Sequence, residues 1–300
     1  MQKVKNTIPV YDICSLSGNE HLHDDIIADN LAHYLGEHSN LYFPHRHSFY
    51  HVVLFTRGGG THTIDFEQFP VEAGQLYFMI PGQVHTWNFD AEVDGYIINC
   101  SEGLIQAFLP ENEIAAKMPF FRGIAKDGVV QLAEPVLSKV RDVMQRVTEE
   151  VRNSDQFSKS LISAYLMELF VTVARVSVAL PATAFMQQNY LILYNFRKLV
   201  GEHYATKHLP KDYAELLYIT PNHLNAVCNE LMGKSAGEII RDRILLEAKR
   251  LLINAGTSIA EIAWQLGFAD NSYFTKFFKK YSGATPEEFR RTYLNKEINS

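Results

Sequence analysis

The sequence predicts a chain of two domains: a small β-barrel with a helix pair, then an all-α domain of two helix-turn-helix motifs joined by a linker helix. Three observations predict this. Short runs of β-branched and aromatic residues fill about 42–100, and the apolar period changes to three and four from Glu134 onward. Explicit helix-start signals crowd the last 110 residues or so. The net charge of −6 divides into −9 over residues 1–184 and +3 over 185–300, so the two parts suit different partners.

The chain has 300 residues, 47% of them hydrophobic, enough for two cores and too apolar for global disorder. No window approaches the ~18 consecutive apolar residues of a membrane span. The start, MQKVKNTIPVYD, has no apolar leader core. Cys14, Cys100 and Cys228 are odd in number and far apart, which reads as reduced thiols in a cytoplasmic protein rather than a disulfide frame.

The barrel is expected from HVVLFT (51–56), THTIDF (61–66), QLYFMI (75–80), VHTWNF (84–89) and GYIINC (95–100). RGGG, EAG, PGQ and EVDG punctuate them as turns. The GGG of 58–60 lies between two strands, so it is a turn and not a phosphate loop. Val136, Val140, Val143, Met144 and Val147, then Leu161, Tyr165, Leu169 and Phe170, give an antiparallel helix pair over about 134–179. The second of these helices is apolar nearly all round, which fits a helix under its own barrel or a dimer contact. A linker is expected at 181–186.

From Tyr190 the chain reads as about seven helices. Asp212…Glu215, Ser235…Glu238, Ser258…Glu261 and Thr285…Glu288 have capping-box spacing, Pro221 and Pro286 sit at first-turn positions, and Asp270 is a further N-cap. YAELLYITPNHLNAVCNELMGKS (213–235) and IAEIAWQLGFADNSYFTKFFKKYSG (259–283) share one plan of short helix, tight turn and second helix. AGEIIRDRILLEAKRLLIN (236–254) joins them as one amphipathic helix. At ~1.5 Å per residue it spans nearly 30 Å, close to one turn of DNA at about 34 Å.

The run IAWQLGFADNSYFTKFFKKYSGATPEEFR (262–290) resembles the signature of AraC-type transcriptional regulators. That signature reads Ile-Ala, a gap of three, Gly-Phe, Asp-x-Ser-Tyr-Phe, Phe-Lys-Lys, Gly-x-Thr-Pro and aromatic-Arg. The resemblance covers about 100 C-terminal residues, and more loosely the preceding segment resembles the cupin-like sensing barrel of many members. It implies residues 1–180 as an effector-sensing and dimerisation domain and 187–300 as a DNA-binding domain. The implied partners are double-stranded DNA, a small-molecule effector, a second protomer and RNA polymerase, with no cofactor and no membrane.

The family pattern puts Asn271, Ser272, Thr275 and Lys276 of the second recognition helix, and Asn222, His223 and Asn225 of the first, at base edges. Lys279 and Lys280, with Arg241, Arg243 and Lys234, are implied as backbone contacts. One departure is that no Lys or Arg lies between Pro221 and Met232; Ala226 and Asn229 stand where members often have basic residues. The second motif is therefore expected to carry more of the affinity.

The stretch HRHSFYH (45–51) is the remaining constellation. On one extended strand His45, His47, Phe49, His51, Val53 and Phe55 share a face, and His85, with Trp87 two residues on, reaches it from another strand. The arrangement resembles the cupin metal pattern, His-x-His with an acid and then Gly-x-x-His, with Gly82–His85 matching the second part and His51 standing where the acid is. Three readings stay open. One is an organic-effector pocket walled by these histidines, Trp87, Tyr42 and Tyr77 and suited to a polar ring such as a sugar. The second is a metal site on His45, His47, His51 and His85, in a metal-responsive regulator or a metal-dependent enzyme. The third is a structural cluster. His62, His21, His23, His33 and His38 read as surface residues.

Overall fold

The computed structural model describes residues 8–16, 24–38, 41, 43–109, 118–121, 123–153, 155–177, 184–253 and 256–298. The chain divides into two compact units, one spanning Pro9–Pro181 and the other built on Ala182–Ser300.

The first unit holds strands β1 (Val10–Tyr11), β2 (Ile26–Asn30), β3 (His45–His47), β4 (Tyr50–Arg57), β5 (Thr61–Ile64), β6 (Glu67–Pro70), β7 (Gln75–Met79), β8 (Val84–Asn88), β9 (Asp94–Cys100) and β10 (Val129–Gln131). They make two five-stranded sheets, β1-β3-β8-β5-β6 and β10-β7-β4-β9-β2. Helices α1 (Ile13–Leu16), α2 (Leu31–Glu37), α3 (Glu102–Phe108), α4 (Val136–Glu150) and α5 (Ser158–Ser177) complete it.

The second sheet is buried on both faces, which is why HVVLFT is continuously apolar rather than alternating. Val52, Leu54, Phe78 and Ile98 pack against Val140, Val143 and Val147 of α4 and Ile162, Leu166, Leu169, Phe170 and Val173 of α5. Their sequence neighbours Val53, Phe55, Tyr77, Met79 and Ile97 face the other way, onto Ile64 and Trp87 of the first sheet. Each such side chain contributes about 1.5–3 kcal/mol on burial, so the helix pair and the barrel interior are two cores on one sheet.

Two sequence expectations change here. α5 does have the length and composition of a membrane span, contrary to the expectation that no window approaches one. Its buried stripe packs onto the sheet, as a helix under its own barrel does. The face from His45 to Phe55 is buried as expected, but not as one strand. The chain bends at Ser48–Phe49 and passes from β3 in one sheet to β4 in the other.

The second unit is helical: α6 (Ala184–His203), α7 (Pro210–Leu216), α8 (Pro221–Met232), α9 (Ala236–Leu252), α10 (Ile259–Gln265), α11 (Asn271–Ser282) and α12 (Pro286–Ile298). The expected linker at 181–186 begins outside the described residues, and 184–186 are already helical. Reciprocal capping boxes form at Ser235–Glu238, Ser258–Glu261 and Thr285–Glu288. Asp212 is not an N-cap. The helix starts earlier, at Pro210, and Asp212 accepts from the Leu209 N–H at 3.3 Å. α9 ends at Leu252, so its 17 residues span about 25 Å rather than 30 Å.

Both turn motifs close alike. Ile219 N–H donates to Ala214 O and Phe268 N–H to Ala263 O, each at 3.0 Å. The left-handed position is Tyr218 (φ 55°) in one and Gly267 (φ 74°) in the other. Leu224, Val227, Cys228, Ala263, Phe274 and Phe278 are buried, as the helical spacing predicts.

Candidate functional site

Between the two sheets of the first unit, five imidazoles meet. His45 and His47 come from β3, His62 from β5 and His85 from β8, all in the first sheet; His51 comes from β4 in the second. Antiparallel pairing sets His45 opposite His85 and His62 opposite Trp87. The bend at Ser48–Phe49 turns His51 back to face them, so His47 and His51 stack at 5.0 Å and His51 lies 5.3 Å from His85, ring to ring. All five are at most 3% exposed.

The hydrogen bonds fix much of the tautomer pattern. His45 Nδ1 donates to Phe43 O at 2.7 Å, which leaves its Nε2 as a bare lone pair. His51 Nδ1 donates to Asn99 Oδ1 at 2.6 Å, and Asn99 Nδ2 donates in turn to Tyr34 Oη at 3.0 Å. His51 Nε2 is then also bare, and has no hydrogen-bond partner among the described residues. His47 Nε2 stands 3.2 Å from His45 Nε2 and 2.8 Å from His85 Nε2, and His85 Nδ1 lies 3.0 Å from His62 Nε2. Burial holds every ring neutral: it pulls His45 down to about 4, His51 to about 3, and His47, His62 and His85 well below the usual range, with the neighbouring imidazoles adding to the effect at the last three. A cluster of neutral nitrogen donors can hold a transition-metal ion or hydrogen-bond a polar ligand.

Of the expected pocket residues, His45, His47, His51 and His85 are brought together with Trp87, whose ring lies 5.4 Å from His85 and whose Nε1 has no partner among the described residues. Tyr77 reaches the cluster by its ring, 4.9 Å from His62, while its hydroxyl is held by Gln75 Oε1 and Pro70 O. Tyr42 lies outside the described residues, as do His21 and His23. His62 is fully buried, not a surface residue. Its signal is the same alternation that reveals the others, since His62 and Ile64 share a face while Thr61 and Thr63 are only half-buried. Asn99 and Tyr34, the outer partners of His51, carry no sequence signal that marks them. His33 is exposed as expected, paired with Asp29 and Glu37.

In the second unit, α11 buries Phe274 and Phe278 and exposes Asn271, Ser272, Lys276, Lys279 and Lys280 on its other side, with Thr275 half-buried. α8 exposes Asn222 and half-buries His223. Asn225 is engaged locally, its Oδ1 accepting from Ala236 N–H at 2.9 Å at the start of α9. Lys234 pairs with Asp242 at 2.6 Å, Arg243 pairs with Glu247 and covers the Tyr204 ring, and Arg241 lies 5.3 Å over the Tyr281 ring.

Two protein-family models match the chain: the AraC-like ligand binding domain over residues 28–170 and the helix-turn-helix domain over 213–292. The HTH-type transcriptional activator RhaR of Yersinia pestis is 22% identical over 263 residues, 86% of this chain and 87% of that protein. RhaR of an Enterobacter species is 22% identical over 252 residues, 84% and 88% of the two chains. Among solved structures, the C-terminal domain of AraT from Geobacillus stearothermophilus is 28% identical, covering 34% of this chain and 84% of that one, with a TM-score of 0.32. Fatty-acid-bound ToxT from Vibrio cholerae is 13% identical, covering 91% and 97%, with a TM-score of 0.44.

Proposed function

The chain is an AraC-type transcriptional regulator with an N-terminal ligand-binding domain, and from that premise we propose how its residues divide the work. α8 and α11 enter the major groove. Asn222, His223, Asn271, Ser272, Thr275 and Lys276 read base edges, and Lys279 and Lys280 set register on phosphate. Arg241 is a further phosphate contact, while Lys234 and Arg243 must first leave Asp242 and Glu247. The barrel receives a small effector among His45, His47, His51, His85, Trp87 and Tyr77, and its binding shifts the population of DNA-binding arrangements.

The observation that carries the DNA reading is the divided surface of α11. Phe274 and Phe278 are buried, and Asn271, Ser272, Lys276, Lys279 and Lys280 share the exposed side. Pairing of two protomers, contact with RNA polymerase and a cytoplasmic location belong to the same proposal, supported by relatives that are transcription regulators. On the same footing we assign the chain no reaction.

The test is binding to a duplex selected by the wild type from a random pool. Asn271→Ala should weaken it roughly 5- to 150-fold, as loss of one bidentate base contact worth about 1–3 kcal/mol does, and relax the preference at one position. Lys279→Ala should weaken all sequences alike and flatten the salt slope by about 0.9. Binding that neither substitution alters would sink the assignment.

A further inference from the structure

We propose that the species held by this barrel is a divalent transition-metal ion, bound by Nε2 of His45, His47 and His85. The inference rests on the reading of the barrel interior as the ligand site, and names the ligand's class.

Geometry carries it. Nitrogens each ~2.0–2.1 Å from a tetrahedral zinc stand roughly 3.3 Å apart. The Nε2 atoms of His45 and His47 are 3.2 Å apart, and those of His47 and His85 are 2.8 Å apart. All three ligand atoms fall within 4.8 Å of one another in a fully buried site. At these separations a sugar ring does not fit between the imidazoles, and an ion does.

Proton placement supports it independently. His45 Nδ1 carries the proton given to Phe43 O. His85 can place its proton on Nδ1 and donate to His62 Nε2. The three converging Nε2 atoms then have at most one proton among them, on His47, to serve two close contacts. A cation satisfies all three lone pairs together. The outer bonds of His45 and His85 are also those a metal-bound imidazole needs, since a ring that donates its second N–H is fixed in tautomer and made a stronger ligand, while His47 Nδ1 has no partner among the described residues. His51 offers a fourth nitrogen beside them, its bare Nε2 set by the bond to Asn99. An all-imidazole donor set selects zinc, nickel, copper or iron over calcium and magnesium, which take oxygen ligands.

The test uses untagged, full-length protein stripped by chelator and titrated with cobalt(II), followed by zinc. The expected result is one cobalt per chain, with visible ligand-field bands of nitrogen coordination that zinc abolishes by displacement. His47→Ala and His85→Gln, checked by thermal melting for a folded barrel, should lose more affinity than the ~10- to 100-fold that follows loss of an outer partner. His33→Ala, in the exposed Asp29–His33–Glu37 group, should change nothing. A wild type that takes up no cobalt overturns the proposal, whatever the variants do. So does unchanged uptake by a folded His47→Ala protein, or uptake abolished by His33→Ala. The readout is the ion itself. Failure therefore leaves the DNA-binding reading standing, while a bound ion with no effect on DNA affinity would retain the metal site and sink the sensing role.

Discussion

His62 and Asn99 show how a site can be half legible at the level of single residues. His45, His47, His51 and His85 stand out because three of them crowd one heptapeptide and the fourth follows a turn. His62 sits alone in THTI and reads as a surface residue, yet it is fully buried and 3.0 Å from His85 Nδ1. Asn99 is an amide 48 residues from His51, and no local pattern joins them. Their importance is a property of the sheet register, which appears only once β5 pairs with β8 for His62 and β4 with β9 for Asn99. A direct consequence concerns His62. His62→Phe keeps an aromatic ring in the site but removes the acceptor for His85 Nδ1–H. Metal affinity should fall about 10- to 100-fold with the barrel still folded. Unchanged affinity in a cobalt titration would show that His62 is packing alone.

At the scale of elements, the helices of the second unit are the more legible half. Ser235, Ser258, Thr285 and Asp270 all cap as the sequence suggests. Asp212 does not, because that helix starts at Pro210, three residues sooner than an Asp212 cap would set it. The passage of HRHSFYH from one sheet to the other is not legible, since Ser48–Phe49 carries no glycine or proline to mark a bend. The repeated turn gives a paired prediction. Tyr218 holds a left-handed backbone while its side chain is 96% exposed, so Tyr218→Gly gives up no packing. Relief of a strain of order 1–3 kcal/mol, less the ~0.5–1 kcal/mol entropic cost of glycine, should leave the domain up to about 2.5 kcal/mol more stable. The reverse change, Gly267→Ala, would set a Cβ 2.0 Å from Ala205 O as well as straining the backbone. It should cost at least about 1–3 kcal/mol. Thermal unfolding of both variants checks the pair, and a destabilised Tyr218→Gly protein would mean that the tyrosine is held by something other than the turn.

For the whole molecule, the division of charge now has a physical sense. The acidic first part places its neutral, nitrogen-rich interior behind a net charge of −9, and the second part carries the exposed lysines of α11. A net of +3 gives little non-specific attraction to DNA. Occupancy must then depend on base contacts and on whatever ligand biases the arrangement of the chain. A coupling between two sites is worth about 1–3 kcal/mol, or 5- to 150-fold in affinity. The most direct measurement is the fluorescence anisotropy of the selected duplex, titrated with metal-stripped full-length protein, with and without one equivalent of zinc, beside His47→Ala. Zinc should shift the wild-type dissociation constant by at least about 5-fold and leave that of His47→Ala unmoved. Equal affinity in the presence and absence of zinc would contradict a metal-sensing barrel.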